Sequence, residues 1–313
     1  SIIDGFYNLN SSNIPSNTIR YIHKDQSGTI WLGTSEGLAY FDKNSFKQVS
    51  GPESKMANKF IRVLEEFKDE LWIGTENGIF RLNKKTKKTS VSNLLADRRI
   101  SLIKFISNTQ VLIGVYNEGL FEAKSDDNFK SFAVKNLINT GIPTSLMKLN
   151  DKVWVGTSNG LLEYKPQTGE IKWIKRENGL PNEFIYSIEI DDEKQLWLST
   201  NKGIVKLDPK TRDIHSFSMN DGLQGFEFNG YSSYRDTTTG RMFFGGVNGL
   251  NHFNPKEIII VGKNNTNVLT DEISQLRPKQ IAYFSDKEQL FSKPLPNNPT
   301  FDSKFQIFKG EIP

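Results

Sequence analysis

The sequence predicts an all-β protein, a β-propeller of six or seven four-stranded blades with a short C-terminal tail. Three observations predict it. A tryptophan-glycine octet recurs along the chain at near-constant spacing. Each copy lies inside a strand, tight turn, strand pattern of alternating residues. Aromatic residues, 22 of them Phe, make up 12% of the 313 residues, which suits pleated, half-buried surfaces.

The sharp octets are Trp31-Leu32-Gly33-Thr34-Ser35-Glu36-Gly37-Leu38 and Trp72-Ile73-Gly74-Thr75-Glu76-Asn77-Gly78-Ile79. Trp154-Val155-Gly156-Thr157-Ser158-Asn159-Gly160-Leu161 and Trp197-Leu198-Ser199-Thr200-Asn201-Lys202-Gly203-Ile204 repeat them. Two copies are altered. Leu112-Ile113-Gly114-Val115 leads to Gly119 with one extra residue, and Phe243-Phe244-Gly245-Gly246 leads to Gly249 with Phe in the Trp slot. The blade anchors are therefore Trp31, Trp72, Leu112, Trp154, Trp197 and Phe243, at intervals of 41, 40, 42, 43 and 46 residues. A period of ~40–45 residues is that of a four-stranded propeller blade.

Each blade reads the same way. Thr29 to Gly33 is a strand, Ser35-Glu36-Gly37 a turn whose glycine supplies a positive φ, and Leu38 to Phe41 the returning strand. Trp fills the wedge between blades, and Gly33 and its equivalents are expected where two backbones approach closely. An earlier strand precedes each anchor: Thr18 to Ile22, Phe60 to Leu64, Ile100 to Ile103, Phe184 to Ile188. A loop punctuated by Pro and Gly introduces it, as in Asn178-Gly179-Leu180-Pro181-Asn182. A fourth strand follows the hairpin, as in Ser45 to Val49 and Ile171 to Ile174, the latter carrying Trp173.

Composition narrows the function classes. With 40 basic and 36 acidic residues, the net charge of +4 is too balanced to argue for nucleic acid. The densest basic run, Lys84, Lys85, Lys87 and Lys88, reads as a solvated hairpin tip. The absence of cysteine excludes a disulfide framework, thiol catalysis and Cys-ligated zinc. No run of ~18 apolar residues is present to span a membrane. The chain opens at Ser1-Ile2-Ile3-Asp4 without a leader pattern, as a trimmed or mature domain would, so localisation is not read from its start.

The string Ile22-His23-Lys24-Asp25-Gln26-Ser27-Gly28-Thr29-Ile30-Trp31-Leu32-Gly33-Thr34, and Glu183 to Ile188 leading to Leu196-Trp197, resemble the two-component regulator propeller repeat. Gly245 to Pro255 resembles the sequence that closes the last blade in that family, and the resemblance covers roughly residues 5 to 255. It implies a propeller over 1–255 in the periplasmic sensor region of a bacterial hybrid two-component histidine kinase or related receptor, on the periplasmic or extracellular side of the inner membrane. It also implies a homodimer in the full receptor, held to the membrane only through segments absent from this chain. The tail, 256–313, is read as a degenerate seventh blade or the start of a β-sandwich module.

The search for chemistry returns little. His23, His215 and His252 form no metal pair and read as strand-surface residues; no metal site and no cofactor is expected. The acid pairs Asp126-Asp127 and Asp191-Asp192 read as turn residues. Asp25 to Trp31 resembles the hairpin box of sialidase propellers, clear once, and the repeats also resemble those of streptogramin lyases. The expected site is instead the mouth of the central channel, where equivalent first-strand positions of successive blades converge. Arg20, Ser101 and Tyr186 lie 11 residues before their anchors, Arg62 lies 10 before, and Asn229 and Tyr231 occupy the matching stretch of the last blade. Arg forks and Tyr rings suit an anionic or sugar ligand. The expected function is an extracytoplasmic sensor binding an oligosaccharide or other small molecule. The alternatives are a protein-interaction propeller without a small-molecule ligand, or a sialidase-like or streptogramin-lyase-like enzyme.

Overall fold

The computed structural model describes residues 13–42, 44–49 and 55–258, and the backbone of 259–260 and 281–282. The first blade is β1 (Ile19–Lys24), β2 (Ile30–Thr34), β3 (Leu38–Asp42) and β4 (Ser45–Gln48). The second is β5 (Ile61–Phe67), β6 (Glu70–Thr75), β7 (Gly78–Asn83) and β8 (Thr89–Val91). The third is β9 (Ile100–Ser107), β10 (Gln110–Val115), β11 (Gly119–Lys124) and β12 (Ala133–Ile138). The fourth is β13 (Pro143–Leu149), β14 (Lys152–Thr157), β15 (Gly160–Lys165) and β16 (Glu170–Ile174). The fifth is β17 (Ile185–Ile190), β18 (Leu196–Thr200), β19 (Gly203–Leu207) and β20 (Ile214–Phe217). The sixth is β21 (Phe228–Arg235), β22 (Met242–Gly246) and β23 (Gly249–Phe253), three strands among the described residues. Beyond it β24 (Ile259–Ile260) pairs in parallel with β25 (Ile281–Ala282).

Strands in each blade pair antiparallel in chain order, so the fold is an all-β propeller of six blades among the described residues. The expected boundary at 255/256 lies at the edge of that region, and the expected seventh blade or sandwich module falls outside it. The described residues fall into two compact units, divided after Leu146. The first has cores around Trp31 and Trp72, the second around Trp154 and Trp197.

The anchors behave as wedges. Trp31, Trp72, Leu112, Trp154 and Trp197 are all fully buried. Trp72 meets Phe105 and Phe129 of the third blade edge-on, at centroid distances of 5.0 and 5.4 Å. Trp197 meets Phe253 of the sixth at 4.8 Å. Each such side chain removes its apolar surface from water for about 3 kcal/mol. Phe243 departs from the set. It is half-buried between Tyr234 and His252, while Met242 and Phe244 enter the core.

Gly33, Gly74 and Gly114, beside their anchors, meet side chains rather than backbone. A Cβ at Gly33 would fall 2.6 Å from Cγ2 of Ile61, and one at Gly114 would fall 2.8 Å from Cβ of Pro143. A side chain at the start of the next blade's first strand closes on Gly33, and at Gly74 and Gly114 such a side chain is joined by one from the blade's own first strand, Val63 and Ser101.

Two details explain residues of the octet that periodicity leaves unassigned. Thr34 Oγ1 donates to the Gly37 carbonyl at 2.9 Å and accepts from the Glu36 N–H at 3.1 Å, locking the turn; Thr75, Thr157 and Thr200 do the same. The hairpin box also occurs twice, not once. Asp25 accepts from Thr29 N–H at 2.9 Å and from Trp31 Nε1 at 2.9 Å. Asp191 accepts from Gln195 N–H and Trp197 Nε1, both at 2.8 Å. Lys194 takes the left-handed place of Gly28, with φ of 67° against 87°, which hides the second copy from a search for glycine.

The basic run is only half solvated. Lys85 and Lys88 are exposed, but Lys84 binds Glu66, and Lys87 Nζ lies 4.4 Å from the ring centroids of both Trp31 and Tyr40. The turn after β7 leans on the first blade, and the lysine stems fill the contact.

Candidate ligand site at the bulged strand starts

The nominated first-strand positions share one structural device. Between β1 and β2, Ile19 pairs with Thr34 and Tyr21 with Gly33, so Arg20 is the extra residue of a β-bulge. Arg62 lies between Ile61↔Thr75 and Val63↔Gly74, and Tyr186 between Ile185↔Thr200 and Ser187↔Ser199. Ser101 lies between Ile100↔Val115 and Leu102↔Gly114, and Asn229 and Tyr231 fall in the wider irregularity between Phe228↔Gly246 and Ser233↔Phe244. A bulge breaks the ladder and turns a side chain out of the alternating pattern, which is how sheets present residues at their rims.

In the first unit the bulges assemble a guanidinium-aromatic cluster. Arg20 is exposed, and its guanidinium carbon lies 5.0 Å from the Phe60 centroid. Arg62 approaches the same ring at 5.0 Å and Tyr116 at 5.6 Å. Its Nε donates to Glu76 Oε1 at 2.6 Å. Arg99 lies 3.8 Å from the Tyr116 centroid, with its Nε 2.7 Å from Glu76 Oε2. One carboxylate thus holds two guanidiniums against one phenol ring. Arg98 pairs with Glu118 nearby in the chain.

Ser101 stands apart. It is buried at 2% exposure, and its hydroxyl donates to the Pro143 carbonyl at 2.7 Å. The third blade's bulge therefore ties down the start of β13 and offers nothing to a ligand.

In the second unit the Tyr186 hydroxyl lies 2.6 Å from Asn201 Oδ1 and 3.1 Å from Glu227 Oε1, with the Phe184 ring 4.6 Å from its own. Burial, then the bond to Glu227 and its charge, push the Tyr186 phenol up to about 12, so it stays a protonated donor at any physiological pH. Asn229 is exposed, and Tyr231 is half-buried in the left-handed region at φ 59°.

A common rule connects the two clusters. Arg20, Arg62 and Tyr186 each meet the residue four after an anchor, the residue preceding the next blade's first strand, or both. Arg62 meets Glu76, Tyr186 meets Asn201, Arg20 meets Phe60 and Tyr186 meets Glu227. Phe60, Glu76, Arg99, Tyr116, Asn201 and Glu227 were not nominated from the sequence. They lie just outside the strands, where alternation points nowhere, although the fixed offset from each anchor marks half of them.

The histidines sit on β1, β20 and β23, all half-buried, and no group of metal-ligating side chains occurs among the described residues. Asp127 is a turn residue, accepting from the N–H and hydroxyl of Ser131. Among the described residues no helix is long and apolar enough to cross a membrane.

Residues 13–36 and 179–202 match the family described as Two component regulator propeller. These are the stretches leading through the first and fifth blades, the two with the complete hairpin box. No curated protein matches the chain in sequence. Among solved structures, the extracellular domain described as that of a hybrid two component system from B. thetaiotaomicron is similar at 26% identity and a TM-score of 0.68. The alignment covers 77% of this chain but 34% of that one, so this chain spans about a third of the domain it matches. A surface component of the type-IX secretion system of Porphyromonas gingivalis (13% identity, TM-score 0.61, 81% of this chain and 40% of that) shares the fold. So does virginiamycin B lyase from Staphylococcus aureus (14%, 0.58, 76% and 82%). The chain is a β-propeller whose first and fifth blades match the two component regulator propeller repeat, and it is similar to part of the extracellular domain of a hybrid two component system.

Proposed function

We propose that this chain is the ligand-sensing propeller of a bacterial two-component receptor, acting outside the cytoplasm on an oligosaccharide or similar nutrient, with no chemistry of its own. One observation carries the reading. The positions that differ between blades, rather than the repeated anchors, gather donors and rings at the bulged strand starts, as Arg20, Phe60, Arg62 and Tyr116 do. Repeated residues build blades; a recognition surface needs residues that vary from blade to blade. The relation to extracellular sensor domains supports the cellular setting. The likeness to the lyase, at 14% identity, supports the fold alone.

Signalling then requires that the ligand favour one receptor arrangement over another, since equal affinity for both shifts nothing. The receptor is expected to work as a homodimer. The test is a thermal-shift screen of the chain against oligosaccharide fragments. A stabilising hit that vanishes in the Arg20→Ala, Arg62→Ala double variant is expected. A broad library without a hit points to a protein-interaction platform, and turnover of a hit points to an enzyme.

A further inference from the structure

We propose that the first unit's cluster selects anionic saccharides, those bearing carboxylate or sulfate groups, with Arg20 as the gripping side chain. The inference rests on the sensing reading above and specifies the ligand class of the same site.

The cluster is rich in positive charge. Arg20, Arg62 and Arg99 gather around two rings, and Glu76 bonds two of the three guanidiniums. Glu76 bonds Arg62 and Arg99, whereas Arg20 makes no hydrogen bond or ion pair among the described residues. Among the described residues its exposed guanidinium is held by the Phe60 ring alone. Stacking orders the plane of a guanidinium while leaving its N–H edge free, the arrangement that meets a planar carboxylate or a sulfate face with two parallel bonds.

The rings are already engaged. Neutral sugars bind proteins by laying a C–H face on an aromatic ring. Here Phe60 is approached by Arg20 and Arg62, and Tyr116 by Arg62 and Arg99, so both rings serve guanidiniums. What remains on offer is N–H donors and positive charge. Arg20 and Arg62 lie within twice 5.0 Å of each other through their shared ring, a span that neighbouring charged groups on one oligosaccharide can bridge. The second unit's Tyr186 is paired instead with the Glu227 carboxylate, chemistry that repels an anion.

The experiment is calorimetric titration of the chain with an oligogalacturonate, its methyl-esterified neutral form, a sulfated oligosaccharide, a neutral glucan fragment and inorganic sulfate. Binding of a carboxylated or sulfated saccharide is expected, weakened about ten-fold or more in Arg20→Ala and less in Arg20→Lys, which keeps the charge and loses the fork. Raising ionic strength from low to ~1 M should weaken it further. Arg20 is exposed, so melting of the variant should match the parent and separate lost binding from lost folding. A neutral saccharide bound as tightly as its charged form, with Arg20→Ala unaffected, overturns the anionic assignment and leaves the sensing reading standing. Inorganic sulfate bound as tightly as the sulfated saccharide overturns the saccharide assignment. No binding by any saccharide overturns both readings.

Discussion

Asp191 accepts the indole N–H of Trp197 at 2.8 Å, as Asp25 accepts that of Trp31 at 2.9 Å. The equally buried indole nitrogens of Trp72 and Trp154 have no hydrogen-bond partner among the described residues. The four anchors look alike in sequence but divide into two energetic kinds. Trp197→Phe removes ring surface and also strips a bond from an almost fully buried carboxylate. Trp72→Phe removes ring surface alone. The first should therefore cost about 1–2 kcal/mol more than the second, measured by urea unfolding. Equal losses would mean that the carboxylate finds another donor.

Two glycines with similar backbone geometry should respond very differently to alanine. Gly28 has φ 87° with open space around a would-be Cβ, and Gly203 has φ 91° with the Phe217 carbonyl oxygen 1.9 Å from it. Gly28→Ala should cost only the left-handed penalty, about 1–2 kcal/mol. Gly203→Ala must in addition push a carbonyl of the neighbouring strand aside, and about 4 kcal/mol or more is expected, the range reserved for such severe clashes. Denaturant midpoints of the two variants check the order.

The blades were legible because Trp31, Gly37 and their counterparts do the same task in every repeat, independent of what surrounds them. The bulge positions Arg20, Arg62 and Tyr186 were legible by offset alone. Their partners were not, because Arg99 precedes a strand and Glu76 and Tyr116 follow strands, outside any alternating pattern, while Phe60 reads as the first residue of a strand that the structure begins at Ile61. Ser101 shows why an equal offset does not ensure an equal role. Its neighbour Pro143 stands 42 residues away, and a small hydroxyl there is close enough to a carbonyl to be captured by it. Lys87 fails as a solvated residue for the same reason, since the aromatics that take it up, Trp31 and Tyr40, belong to the preceding blade.

Glu189 gives a pH signature. It lies opposite Trp197 and accepts from Ser233 Oγ at 2.7 Å. Burial pushes its carboxyl above the usual glutamate range, with Ser233 and Arg235 only partly opposing. A carboxyl whose folded value is raised favours the fold below its unfolded value, near 4.5, and that contribution is lost as pH rises through the folded value. Glu189→Gln removes the charge that must be buried. The variant should melt above the parent at pH 8, and the gap should close near pH 4.

Glu163 should behave in the opposite sense, and the pair forms an internal control. It is 2% exposed, lies opposite Trp154, and is gripped by Lys152 Nζ at 2.6 Å and by Arg212, whose guanidinium also covers the Trp154 ring at 5.2 Å. Burial raises its carboxyl, but the bonds and charges of Lys152 and Arg212 outweigh that and hold it below the usual range. A depressed folded value means stability that is present above the unfolded value and lost as pH falls through the folded one. Glu163→Gln should therefore melt below the parent at pH 8, and the deficit should shrink as pH falls below about 4, toward the folded value, where the parent's own carboxylate begins to protonate. Both glutamates face an anchor tryptophan and both are enclosed, so burial alone predicts the same sign for the two. The two cations bonded to Glu163, set against one hydroxyl bond and the unbonded charge of Arg235 at Glu189, reverse it, and a matched set of melting curves at pH 4 and pH 8 reads that reversal directly.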